Sequence, residues 1–94
     1  MLQPEVLNYM AKRASLQLQG DKREAFLRSL KYDRAGAFRT IRFHLPQAAS
    51  EAARMTGRTV ILGRPEDMDK AARQILEFFI AHFSSEVAAV SGTC

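Results

Sequence analysis

Cysteine, histidine and tryptophan are scarce in this chain of 94 residues. Its one cysteine, Cys94, excludes an internal disulfide and any metal site that needs several cysteine ligands. There is no tryptophan, and the two histidines, His44 and His82, offer few bases for nucleophilic catalysis. A chain this short forms one domain at most, and we predict it over residues 1–94, with a frayed tail at about 91–94.

Long hydrophobic runs are also missing. The most apolar window, residues 75–83, is interrupted by Glu77 and His82, and a membrane span needs roughly 18–20 apolar residues. The first five residues lack the basic and apolar segments of a secretory signal. A lone terminal cysteine suits a reducing compartment. We therefore expect a cytoplasmic protein with no membrane partner.

Apolar residues at three- and four-residue steps predict several helices. The first covers residues 4–19 and the second residues 21–30, with Gly20 as the short connection between them. A third helix, rich in small residues, covers 46–56 and ends at Gly57. The last helix begins at Pro65, and its broad apolar stripe, from Met68 to Val87, is the strongest helical pattern in the chain.

Residues 38–45 fit two structures. Ile41, Phe43 and Leu45 alternate with Arg42 and His44, which is the periodicity of a strand. The spacing of Phe38, Ile41 and Leu45 also fits a helix. We favour the strand because the segment is β-branched and aromatic, and because Pro46 disfavours a helical conformation at the residue before it.

Residues 58–62 predict a second strand, since they are β-branched and lie between Gly57 and Gly63. The predicted fold is therefore α+β, helix-rich with a small sheet, in the order α-α-β-α-β-α. An all-α helical dimer is the alternative. Two strands alone make a marginal sheet, so either the helices supply the core or a second copy extends the sheet.

Enzymatic chemistry has little support in the sequence. Neither histidine lies in a nucleophile motif, and His82, among phenylalanines, is interpreted as a histidine at the edge of the core or on the surface. The acidic residues Glu66, Asp67 and Asp69 fall where a helix N-terminus favours negative charge. No glycine-rich phosphate loop is present, and Arg64 is interpreted as solvated. We predict a protein that is not an enzyme, with no cofactor and no metal site.

The net charge of +4 is unevenly distributed. Residues 1–45 carry nine basic and four acidic residues, giving +5, whereas residues 46–94 carry five and six, giving −1. The basic residues are densest between Lys22 and Arg42, with Tyr32, Phe38 and Phe43 among them. Basic side chains attract phosphates, and aromatic rings can stack on bases.

This charge distribution leads to the hypothesis of a small nucleic-acid-binding module, for RNA rather than DNA. Arg39 and Arg42 are the best candidates for a specific contact. The simpler alternative is that the basic residues lie on solvated faces of helices and that the phenylalanines of those helices belong to the core. The predicted phosphate contacts are Lys22, Arg23, Arg28, Lys31, Arg34, Arg39 and Arg42.

Two partial resemblances accompany this hypothesis. Thr59–Leu76 resembles the end of a KH domain, in which a strand ends in a glycine, a Pro-Glu turn follows and a long helix packs on the sheet. The resemblance implies RNA binding, but the GxxG loop that clamps RNA in that family is absent, so none of its site residues carries over. Ser50–Val60 resembles the first helix and turn of a helix-turn-helix motif, although Gly63 and Pro65 cut short the recognition helix.

A rival hypothesis is a small dimeric regulator or adaptor that acts by binding another protein. The last helix is apolar over much of its circumference, and a short chain has little material to cover it. An uncovered apolar strip usually marks an interface. Phe78, Phe79 and Phe83 are the predicted interface of a homodimer, and an acidic protein is the alternative partner to a nucleic acid.

Overall fold

Residues 2–90 are described by a computed structural model, and they form five helices. No strand occurs within that range, so the predicted α+β fold, with its order α-α-β-α-β-α, is wrong and the architecture is all-α. The tail predicted at 91–94 lies outside the described residues. The helices are α1 (Pro4–Gln17), α2 (Gly20–Tyr32), α3 (Arg34–Thr56), α4 (Pro65–His82) and α5 (Ser84–Ala89).

Helix α3 contains the segment 38–45, for which we predicted a strand. Ala37, Ile41, Leu45 and Ala49 recur every four residues, and all four are buried. This face packs against α4, α1 and α2. Burial along a continuous helical face therefore outweighs the local β-propensity of the segment, since strand propensity depends strongly on context.

Particular residues determine where α3 begins and ends, and a proline removes one of its internal hydrogen bonds. Asp33 caps the helix, because its side chain accepts a hydrogen bond of 3.0 Å from the Gly36 amide. Gly57 ends it with a left-handed conformation, φ 70°. Pro46 lies inside the helix and is exposed. It has no amide hydrogen to donate to the carbonyl of Arg42, so one helical hydrogen bond is missing there.

Residues 57–64 connect α3 to α4 without helix or strand. Val60 and Leu62 are half-buried against the core, whereas Ile61 between them is 78% exposed. The alternation typical of a strand is thus present, but no second strand among residues 2–90 pairs with it. The KH resemblance is consequently wrong, because that domain has a β-α-α-β-β-α fold. Residues 57–64 contain no helix, so the recognition helix expected there from the helix-turn-helix resemblance is also absent.

Two polar contacts between residues far apart in sequence connect the first and last described residues to the helices. The amide of Leu2 donates to Oε1 of Gln74 at 2.9 Å, and Nε2 of Gln74 donates to the Leu2 carbonyl at 3.0 Å. Nζ of Lys31 donates to the carbonyl of Val90 at 3.0 Å. Through these contacts α4 fixes the segment before α1, and α2 fixes the residue that follows α5.

Helix length and polarity also bear on membranes. Within residues 2–90, no helix combines the length and the apolar character needed to cross a bilayer.

Candidate nucleic-acid interface

The seven predicted phosphate contacts lie on two helices and do not form one surface. Lys22, Arg23, Arg28 and Lys31 belong to α2, and Arg34, Arg39 and Arg42 to α3. Because successive residues of a helix turn by about a quarter of a turn, the four on α2 point in different directions. Lys22 faces a groove beside α1 and α3, whereas Lys31 reaches towards Val90.

Two of the seven form ion pairs. Nη2 of Arg28 lies 3.3 Å from Oε1 of Glu24, one turn earlier on α2. Nε of Arg42 lies 2.7 Å from Oδ1 of Asp69, which joins α3 to α4. The side chains of both pairs remain accessible to solvent, and pairs of that kind contribute only about 0–1 kcal/mol. Arg42 can therefore exchange its carboxylate partner for another anion at little cost.

Two others bind backbone carbonyls. Lys31 donates to Val90, and its Nζ also lies 5.3 Å from the centre of the Tyr32 ring. Nε of Arg34 donates to the carbonyl of Leu30 at 3.4 Å. These two cations have structural partners, which makes them weaker candidates for phosphate contacts than the sequence suggested.

An exposed stripe of α3 carries the most distinctive candidate site. We call it the α3 outer face, formed by Arg39, Phe43, Pro46 and Ser50, all exposed. These residues recur at steps of four, three and four, so they lie along one side of the helix. The stripe is opposite the buried face that packs on the other helices.

Phe43 is unusual because its side chain is 80% exposed in the middle of a long helix. Its ring contacts His44 edge-on, with the ring centres 5.1 Å apart and the planes at 84°. Despite this contact, most of the Phe43 side chain is open to solvent. Arg39 lies one turn before it and makes no hydrogen bond or ion pair with any of residues 2–90.

The charge around this stripe is positive. Between Asp33 and Glu51 the sequence contains three arginines and no acidic residue. Arg42 flanks Phe43 on the side of α4, where Asp69 partly offsets its charge. The exposed aromatic ring of the α3 outer face thus lies beside two guanidinium groups, that of Arg39 on the same face and that of Arg42 at its edge.

Sequence reasoning named Arg39 and Arg42 but not Phe43 as a site residue. The signal was available, since Phe43 lies four residues after Arg39 and falls outside the spacing of Ala37, Ile41 and Leu45. This spacing indicates an exposed Phe43 only if residues 38–45 are helical.

The three predicted interface phenylalanines have different environments. Phe79 and Phe83 are each 5% exposed and contact one another edge-on, with ring centres 5.6 Å apart. Phe78 is half-buried and stacks on His82, with ring centres 5.7 Å apart and planes at 18°. Only Phe78 has surface left for a partner, and the homodimer interface stays a prediction.

The remaining candidates for catalysis or metal binding are dispersed. Within residues 2–90, no group of three or more His, Cys, Asp or Glu side chains could hold a metal ion. Glu66 and Asp67 lie in the first turn of α4, and Asp69 pairs with Arg42. Arg64 precedes that helix and makes no capping hydrogen bond through its side chain.

Comparison with known proteins assigns no family. No protein-family model matches the chain, and neither does any curated protein or solved structure. The chain's own residues are therefore the basis for inferring its function.

Proposed function

We propose that this protein is a non-enzymatic, cytoplasmic module that binds single-stranded RNA on the α3 outer face. The observation that carries the proposal is the 80% exposed side chain of Phe43, which lies beside Arg39 and Arg42 on α3. An apolar ring of this size in water is unfavourable unless something covers it. A nucleobase is a flat partner, and its attached phosphates match the adjacent arginines.

The arrangement favours a single strand over a duplex. Stacking on a side chain requires a base that is not already stacked within a helix, and such bases occur in single-stranded loops and ends. Phe43 would stack on one base, and Arg39 would contact the phosphate beside it. Stacking on an aromatic side chain contributes about 1–3 kcal/mol per base.

Arg42 is available to the same strand. Its ion pair with Asp69 is partly exposed, so a phosphate can replace the carboxylate without leaving a buried charge behind. A bidentate contact from a guanidinium to a phosphate is stronger than a contact between neutral groups. Asp69 then limits the affinity of the free face for phosphates and makes binding depend on a correctly placed strand.

Fluorescence polarisation with a labelled single-stranded RNA at low salt tests the proposal. Phe43→Ala should weaken binding about 5- to 150-fold, the equivalent of one lost stacking contact. Arg39→Gln should reduce the slope of log K against log salt by about 0.7, the value for one phosphate contact on a single strand. A duplex of the same sequence should bind more weakly than the single strand.

Matched substitutions at other exposed positions are the controls. Leu16→Ala removes an apolar side chain that is 60% exposed on α1, and Lys12→Gln removes an exposed cation on the same helix, away from the α3 outer face. Both should leave RNA binding nearly unchanged. The proposal fails if the wild-type protein does not bind RNA at low salt, or if Phe43→Ala has no more effect than Leu16→Ala.

The same preparations distinguish the RNA-binding proposal from the rival hypothesis of a homodimer. Sedimentation equilibrium gives the mass of each variant in solution. A mass of two chains that Phe78→Asp reduces to one, together with no binding of RNA, would favour the dimeric regulator. An acidic protein as partner would be favoured if polyglutamate displaced all bound RNA irrespective of Phe43.

A further inference from the structure

A groove between α1 and α3 is a second candidate site, independent of the α3 outer face. It has a volume of about 500 Å³, within the range of roughly 300–1,000 Å³ of small-molecule sites. Its α1 wall extends from Tyr9 to Leu18, about 14 Å at 1.5 Å per residue. Helix α2 contributes Lys22 and Phe26.

The inner surface of the groove is apolar. Buried core side chains form its floor, and half-buried side chains such as Leu18 and Phe26 form its walls. The two alanines Ala14 and Ala48 leave space between the helices. The floor consists of Met10, Ile41, Leu45, Ile75 and Phe79.

The two ends of the groove differ in charge. At one end lies Glu51, whose Oε2 accepts from the Tyr9 hydroxyl at 3.0 Å and from Nε of Arg13 at 3.1 Å. At the other end lies Lys22, with Thr40 on the facing helix, and Lys22 has no hydrogen bond or ion pair with any of residues 2–90.

The charged rim has a net positive charge. Lys22 and Arg13 give +2 and Glu51 gives −1, so the rim carries +1 with His44 neutral. Glu51 is eleven residues from Thr40 along α3, about 16 Å at 1.5 Å per residue. That separation exceeds the screening length of about 8–10 Å, so an anion beside Lys22 is little repelled by Glu51.

We propose that the groove binds a free monocarboxylate with an apolar chain of medium length. The chain would lie on the apolar floor, and the carboxylate would accept hydrogen bonds from the ammonium group of Lys22. The charge difference between the two ends of the groove sets the direction of the ligand. This site uses neither Phe43 nor Arg39.

Isothermal titration calorimetry with dodecanoate, below its micelle concentration, tests the assignment. Dodecanoate should bind with one-to-one stoichiometry, and dodecanol should bind at least 10-fold more weakly, because it lacks the charge. Lys22→Gln should weaken dodecanoate binding about 10-fold or more, whereas Lys12→Gln, an exposed lysine of α1 outside the groove, should not.

A second pair of variants tests the location. Ala14→Leu places a larger side chain in the groove and should abolish binding of dodecanoate, whereas Ala35→Leu on the exposed start of α3 should not. Far-ultraviolet circular dichroism confirms that each variant is folded. The assignment is overturned if dodecanoate does not bind, if dodecanol binds equally well, or if Ala14→Leu binds like the wild type.

The proposals of an RNA site and of a carboxylate site can be refuted independently of each other. Phe43→Ala should leave dodecanoate binding unchanged, and Ala14→Leu should leave RNA binding unchanged. Loss of both activities in either single variant would contradict the assignment of two separate sites.

Discussion

Replacing Pro46 with alanine tests whether α3 is one continuous helix. Pro46 lies inside the helix with its side chain exposed, so its removal costs little burial. A proline in a helix interior is about 3 kcal/mol less favourable than alanine. It also restricts the unfolded chain, which offsets roughly 0.4–1 kcal/mol of that difference. We therefore expect Pro46→Ala to raise the free energy of unfolding by about 2 kcal/mol.

Urea denaturation followed by circular dichroism measures this change. Ser50→Ala is the matched control, because Ser50 is exposed one turn later on the same helix and keeps its amide hydrogen. We expect it to change the free energy of unfolding by no more than about 0.5 kcal/mol. If Pro46→Ala left stability unchanged or lowered it, residues 38–45 would not be helical, since a proline after an extended segment carries no such penalty.

Three further predictions concern the core, a cap and a titration. Leu30 is 0% exposed, so Leu30→Ala should lower the free energy of unfolding by about 2–5 kcal/mol in urea denaturation. Asp33→Ala removes the cap of α3 and should cost about 1 kcal/mol in the same assay, and Asp33→Asn should recover most of it. Burial, followed by the hydrogen bond to Glu51, raises the pKa of Tyr9 above its ordinary value. The neutral phenol of Tyr9 therefore stabilises the fold below the pKa of tyrosine in the unfolded chain. This contribution is lost as the pH rises through the pKa of Tyr9 in the folded protein. In a variant whose other tyrosine is phenylalanine, tyrosinate absorbance should titrate above the ordinary pKa of about 10, and Glu51→Gln should lower the midpoint.

The error at residues 38–45 shows what a short window cannot reveal. Eight residues fit both periods, and the helical face becomes evident only with Ala37 and Ala49, which flank the segment. Alanines add little hydrophobicity but permit close packing of helices. Burial of Ile41 and Leu45, at about 1.5–3 kcal/mol each, then offsets the cost of a proline in the helix.

The second predicted strand failed for a different reason. Residues 58–62 have the composition of a strand, and Val60 and Leu62 do face the core. A strand nevertheless requires a neighbour to complete its hydrogen bonds, and composition does not report whether one exists. The helices predicted from residues 4, 21 and 65 depended on local periodicity and packing, and the structure has helices over those regions.

The prediction of the site depended on the same segment. As a strand, residues 38–45 would place Phe43 on the same side as Ile41 and Leu45, buried in the core. As a helix, the segment turns Phe43 outwards beside Arg39. The sequence therefore identified Arg39 of the α3 outer face and the neighbouring Arg42, but not the exposed aromatic ring beside them. The groove could not be predicted, because it depends on how four helices pack.

The hydrogen bonds between Leu2 and Gln74 cannot form until Gln74 has been synthesised. Gln74 is synthesised 72 positions after Leu2. At about 5–20 residues per second, that interval is roughly 4–14 s. Throughout it, the apolar side of α1 lacks its complete set of neighbours and is open to chaperones or to other nascent chains. The interval ends only when α4 has been synthesised.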